Sequence, residues 1–161
     1  MQVKIKKLHP EAVVPKYGKP GDAGLDLTAT NYEFKDGRHV YGTGLAFEIP
    51  SGYVGLVFPR SSICKYDLRL TNAVGVIDSG YRGEVKAIFE NDMMYKHQIN
   101  QFISLCGTLQ ETQCVHKIYQ VGERIAQILI IPYPEIEFVE SEELSETERG
   151  DGGFGSTNAG K

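Results

Sequence analysis

No stretch of the 161-residue chain is apolar for long enough to cross a bilayer, and its opening, MQVKIKKLHP, lacks the unbroken apolar core of a secretory leader. Both absences lead us to expect an intracellular protein, cytoplasmic or nuclear, with no membrane partner. Cysteine is scarce. Cys64, Cys106 and Cys114 are odd in number and form no C-x-x-C pair, which supports neither a disulfide framework nor a structural zinc site. Positive charge is in deficit as well: 17 Lys and Arg stand against 21 Asp and Glu, a net charge of −4. That balance argues against a broad basic face for nucleic acid, but it leaves room for a small anion held where a few cations converge. Internal repeats are absent too.

Turn residues, in contrast, are abundant: 18 glycines and 7 prolines rule against a helical bundle. Short alternating or continuous apolar runs between them predict strands over 2–8, 25–29, 38–49 with glycine interruptions, 53–58, 74–77, 84–90, 113–119, 124–131 and 135–139. The single helical candidate is a short turn after Pro59-Arg60-Ser61-Ser62, reaching Tyr66 and capped by a serine. The expected fold is therefore all-β, a jelly-roll-like sandwich. Composition changes once. Seven glutamates and no Lys or Arg lie between Glu135 and Glu148, and the last thirteen residues, from Arg149, contain five glycines. This divides the chain into a body, 1–148, and a flexible glycine-rich tail, 149–161.

Five local patterns carry chemistry. Gly21-Asp22-Ala23-Gly24-Leu25-Asp26-Leu27 sets two acids around a small-residue turn, which an Asx-type turn explains as well. Pro59-Arg60-Ser61-Ser62 gathers a guanidinium and two hydroxyls suited to phosphate oxygens, or else a salt bridge beside a capping serine. The run from Asn72 to Glu84, NAVGVIDSGYRGE, clusters an amide, a carboxylate and a tyrosine between apolar strands. Its asparagine offers donor and acceptor to the edge of a planar base, and Asp78 can hold and deprotonate a water; the alternative is a hairpin with a polar tip. Gly122-Glu123-Arg124-Ile125-Ala126-Gln127 opens a buried strand in which Gln127 needs a partner. The tail, with one arginine, one phenylalanine and two hydroxyls, suits either a flap over a charged, ring-bearing ligand or a disordered terminus.

In this order, GDAGLDL, PRSS, NAVGVIDSGYRGE, GERIAQ and RGDGGFGST resemble the five motifs of the trimeric dUTP pyrophosphatases, the dUTPases, from Gly21 to Thr157. The resemblance implies a jelly-roll homotrimer with three active sites, each assembled from motifs of all three subunits. It also implies Mg²⁺-dependent hydrolysis of dUTP to dUMP and pyrophosphate, which keeps uracil out of DNA and supplies dUMP for thymidylate synthesis. Asp78 matches the aspartate that holds the attacking water, and Asn72 the asparagine that reads uracil. Val76 and Ile77 match the hairpin around base and sugar, Tyr81 the ring beneath the deoxyribose, and Lys86 falls in that same site. Arg60, Ser61, Ser62 and Gln127 match phosphate contacts, and Asp26 the acid that meets the metal through water. In the tail, Arg149 resembles the γ-phosphate arginine, Phe154 the ring that covers uracil, and Gly155, Ser156 and Thr157 the phosphate-binding loop.

The chain departs from the pattern in two places. Asn158 follows Thr157 where the family commonly has glycine, and the connection over 92–121 is longer than usual, either as an idle extended hairpin or as a docking site for a protein partner. Two rivals remain in view. The related dCTP deaminases need a catalytic glutamate where this chain has Ile88, and a silent regulatory relative would not need Asp78, Asn72, Tyr81, Arg149 and Phe154 together.

Overall fold

The computed structural model of the chain describes residues 1–91 and 117–153. The tail residues Phe154, Gly155, Ser156 and Thr157, most of the long connection and the start of the strand expected over 113–119 lie outside the described residues.

Among the described residues, ten strands and one short 3₁₀ helix build the body, and all ladders are antiparallel. They are β1 (Lys4–Lys7), β2 (Leu25–Thr28), β3 (Asn31–Lys35), β4 (Arg38–Gly42), β5 (Leu45–Glu48), β6 (Tyr53–Pro59), the helix (Ser61–Lys65), β7 (Leu68–Leu70), β8 (Gly75–Ile77), β9 (Lys86–Asn91) and β10 (Arg124–Pro132). One sheet runs β2-β10-β6-β8, a second β3-β4-β9-β7, and β1 pairs with β5. The all-β sandwich expected from the glycine, proline and apolar spacing is what forms. β10 lies inside its sheet because its apolar run can be buried, whereas β3 is exposed at every residue. β3 is absent from the predicted strands although Tyr32 and Phe34 alternate with polar residues along it. It exists because Asp36-Gly37 closes a tight hairpin with φ of 51° and 75°, the two positive values that a type I′ turn needs.

Between the sheets Leu27, Tyr41, Leu45, Phe89, Tyr119, Ile125 and Ile128 are buried. Each apolar side chain of this size contributes roughly 1.5–3 kcal/mol by leaving water. Tyr41 packs edge-on against Phe89 and Tyr119, and its hydroxyl donates to the Tyr119 carbonyl at 2.9 Å. Burial pushes the Tyr41 phenol far above its ordinary range.

Two sequence expectations fail in the body. Residues 135–139 form no strand; the segment runs exposed, with Ile136, Phe138 and Val139 turned outward, and no strand among the described residues pairs with it. The serine cap is also absent. Arg60 occupies the cap position of the 3₁₀ helix in extended conformation, and no side chain bonds to the freed amides.

Candidate active site

Opposite residues in a regular antiparallel pair share a face, and residues three apart on one strand do not. Arg124 and Gln127 nevertheless lie on the same face of β10. Gln127 pairs with Asp26 and Ala126 with Leu27, but Arg124 pairs with Thr28, so Ile125 is an extra residue in a bulge. The bulge buries both Ile125 and Ala126 and turns Arg124 toward the face that carries Asp26.

Asp26 thereby accepts from two guanidinium groups. Arg60 Nε donates to Oδ1 at 2.7 Å, and Arg124 Nη1 donates to Oδ2 at 3.0 Å. Arg60 also donates through Nη1 to Ser62 Oγ and to the Arg124 carbonyl, both at 3.2 Å. This is where Ser62 goes in place of capping the helix. Ser61 begins that helix and faces solvent. Gln127 Nε2 donates to the Pro59 carbonyl at 3.1 Å, satisfying the half-buried amide. Gly24 leaves room for it, since a Cβ there would stand 2.5 Å from Gln127 Oε1. The loop behind is pinned by Glu123, whose Oε1 accepts from Tyr66 at 3.1 Å and whose Oε2 accepts from the Gln120 amide at 2.7 Å. Burial, followed by Glu123, raises the Tyr66 phenol. The buried Tyr119 hydroxyl has no partner in hydrogen-bonding geometry; burial raises it too, partly offset by nearby Ser62.

A second group forms around β8, which pairs with β6 through Leu56↔Val76 and Gly55↔Ile77 and is followed directly by Asp78. Asn72 and Ala73 make the turn into it, with φ of 55° at Ala73 and the Val74 amide donating to the Asn72 carbonyl at 2.5 Å. Asn72, Val76 and Asp78 are exposed, Ile77 is half-buried, and no hydrogen bond or ion pair engages the Asp78 carboxylate among the described residues. The Tyr81 amide donates to the Asp78 carbonyl at 3.0 Å, and the Tyr81 hydroxyl reaches back to the Glu84 carbonyl at 3.1 Å. Arg82 Nη1 donates to the Ser79 carbonyl at 2.6 Å and closes the loop. Lys86 Nζ lies 3.4 Å from Glu84 Oε2, whose other oxygen accepts from the Gly44 amide at 2.8 Å. Asp78, Tyr81, Ile77, Lys86 and Ile88 thus line an open cleft of about 510 Å³. A larger hollow, about 640 Å³, runs from Pro59 past Cys64 to Glu90 and is lined by neither Asn72 nor Asp78.

No hydrogen bond or ion pair among the described residues joins the two groups, and the Asp78 cleft is lined by none of Asp26, Arg60, Ser62 or Gln127. Arg149 stands apart from both, donating from Nε to the Gly152 carbonyl at 2.9 Å within its own exposed turn. Asp26 suits a cation only through water. Both of its oxygens already accept a guanidinium, each retaining a lone pair for a water proton, and no cluster of three or more His, Cys, Asp or Glu among the described residues can hold an ion.

Arg124, Glu123 and Tyr66 are partners that sequence reasoning did not single out. The signal for Arg124 was a broken alternation: two adjacent apolar residues, Ile125 and Ala126, between two polar ones that share a face.

Comparison with known proteins finds relatives over nearly the whole chain. The dUTPase family model matches residues 10–117 and 109–158. The chain is 41% identical over 160 residues to the deoxyuridine 5'-triphosphate nucleotidohydrolase of Nautilia profundicola, covering 98% of this chain and 99% of that protein. It is 37% identical over 163 residues to the enzyme of the same name from Hydrogenobaculum sp., with 98% of both covered. Among solved structures, the dUTPase of Staphylococcus bacteriophage 80alpha with dUpNHpp superposes with a TM-score of 0.73 at 30% identity, covering 96% of this chain and 97% of that one. A phage phi11 dUTPase of S. aureus, described for its coordination of a structural Mg(II) ion, gives a TM-score of 0.66 at 25% identity over 89% of this chain and 98% of that one.

Proposed function

The chain belongs to the dUTPase family, and from that premise we propose how its two groups of side chains hydrolyse dUTP. Asp78 orients a water in line with the α-phosphorus and takes its proton as the new P–O bond forms. The bond from the α-phosphorus to the oxygen bridging to the β-phosphate then breaks, leaving dUMP and pyrophosphate. An exposed carboxylate is ionised at neutral pH but weakly basic, so most of the acceleration comes from positioning and from charge on the phosphates.

Asn72 reads the uracil edge, Val76 and Ile77 enclose base and sugar, and Tyr81 lies beneath the deoxyribose, where a 2′-hydroxyl would be crowded. Lys86 sits at the rim of the same cleft. Arg60, Ser61, Ser62 and Gln127 bind the phosphates. Arg149 meets the γ-phosphate, Phe154 covers the base, and Gly155, Ser156 and Thr157 wrap the phosphate chain. Mg²⁺, held by the substrate phosphates and touching Asp26 through water, would screen the charge that develops on the leaving pyrophosphate. The phi11 relative, described with a structural Mg(II) ion, supports the uptake of this metal by a protein of the family.

The same reading makes the enzyme a homotrimer. Its support is that no hydrogen bond or ion pair among the described residues joins the base-reading group to the phosphate group, and that Phe138, 92% exposed, stands with Ile136 and Val139 among glutamates on an arm exposed throughout. The enzyme would act beside the deoxynucleotide pool, in cytoplasm or nucleus, removing dUTP before it enters DNA and yielding dUMP for thymidylate synthesis.

The observation that carries the mechanism is the unpartnered Asp78 carboxylate at the mouth of the Tyr81 cleft. Asp78→Asn should retain dUpNHpp binding and lose at least about a hundredfold in kcat, read by pyrophosphate release. Near-normal kcat in that variant would remove Asp78 from the chemistry. The deaminase alternative has no support in this cleft, because Ile88 lines it where a base would be required.

A further inference from the structure

Three of the five N–H groups of Arg60 belong to nitrogens already committed: Nε to Asp26, and Nη1 to Ser62 and the Arg124 carbonyl. Only Nη2 has no partner among the described residues. Arg124 enters this arrangement twice. Its carbonyl receives Arg60 directly, and its guanidinium holds the second oxygen of the carboxylate that grips Arg60 Nε. Without Arg124, Asp26 would keep one anchor in place of two and could rotate about its side-chain bonds, carrying Arg60 with it.

We propose that Arg124 is a positioning residue for the phosphate-binding Arg60, holding Asp26 so that the free Nη2 edge of Arg60 faces the triphosphate. The bulge at Ile125 makes this possible, since a regular strand would aim Arg124 at the opposite face. The assignment rests on the phosphate-binding role given to Arg60 above. It explains why a second guanidinium stands beside the first without itself being required as a phosphate ligand. Arg124 remains largely open to solvent, and an exposed ion pair of this kind adds little to stability, so its effect should appear in binding geometry and not in the fold.

The test is a double-substitution cycle on the full chain, reading kcat and KM for dUTP, Kd for dUpNHpp and inhibition by deoxyuridine, which has no phosphate. Arg124→Met should lower kcat/KM and weaken dUpNHpp by about tenfold, the size of effect a misplaced ligand group produces, while deoxyuridine inhibition stays within about twofold. Arg124→Lys, which keeps a cation for Asp26, should recover most of the loss and also covers the event that the methionine variant folds poorly. In an Arg60→Met background, Arg124→Met should add less than about twofold, because nothing remains to be positioned. Additive losses would overturn the proposal in favour of direct phosphate contact or general charge attraction. Equal loss of deoxyuridine and dUpNHpp binding would overturn it in favour of a structural role. If Arg60→Met itself left dUTP turnover intact, the phosphate assignment would fail first, an outcome distinct from both.

Discussion

Gly83→Ala is a substitution at a residue that touches no substrate in this scheme, yet it should alter which sugar the enzyme accepts. The backbone at Gly83 has no positive φ, so alanine is conformationally allowed and its effect must come through space. The new Cβ would overlap the Tyr81 hydroxyl and lie 2.6 Å from its Cζ and 3.0 Å from Cε2. Carbon atoms rest at about 3.5–4.0 Å, so the ring must withdraw by roughly 1 Å. Tyr81 is 44% exposed and held mainly by its bond to the Glu84 carbonyl, so it moves more cheaply than the backbone does. The stability cost should be about 1 kcal/mol, one strained hydrogen bond.

The catalytic cost should be larger: kcat/KM for dUTP should fall by about ten- to a hundredfold, or about 1.4–2.7 kcal/mol of transition-state stabilisation. A ring moved away from the sugar also leaves room for a 2′-hydroxyl. The preference for dUTP over UTP should therefore narrow by about tenfold. Steady-state pyrophosphate release with both nucleotides measures this, and a thermal melt shows that the fold persists. Tyr81→Phe is the control, keeping the ring and losing only the hydroxyl, with an expected change within about threefold. If Gly83→Ala kept both the rate and the discrimination of the unaltered enzyme, the Tyr81 ring could not be the floor under the sugar.

Two further outcomes test other parts of the molecule. Tyr41, Tyr66 and Tyr119 all have pKa values raised by burial, so each folded phenol holds its proton more tightly than the unfolded one. Their contribution is fully present below the ordinary tyrosine value of about 10 and is lost as pH climbs above it. Urea midpoints should thus fall steeply above about pH 10, and Tyr41→Phe should flatten that fall while lowering neutral-pH stability by about 1–3 kcal/mol, because the buried Tyr119 carbonyl loses its donor. A midpoint that stays level to pH 11 would refute the burial argument. Deleting 149–161 should leave the thermal transition within about 2 °C, since the described part of that tail bonds only within its own turn, and should remove most of kcat/KM. Normal turnover by the shortened chain would exclude the tail from the site.

What the sequence alone determined was the all-β class and the family, through five motifs in order. Turn-rich composition and short apolar runs were enough for an all-β body, because glycine admits the turn conformations that other residues avoid and proline fixes φ, both locally and whatever lies around them. Asp78, Asn72, Tyr81 and Arg60 stood out because the runs that carry them resemble the family's motifs in order; read alone, each run also allowed a polar-tipped hairpin or a salt bridge. What only tertiary structure decided depended on a partner distant in sequence. Residues 135–139 alternate as a strand should, yet pairing needs a second edge, and none of the described strands supplies one. β3 has little to bury and forms because its hairpin and β4 impose it. Arg124 reads as the polar start of a buried strand until the bulge at Ile125 rotates it onto Asp26, 98 residues away, since register across two strands, and not the order along one, sets which side chains share a face.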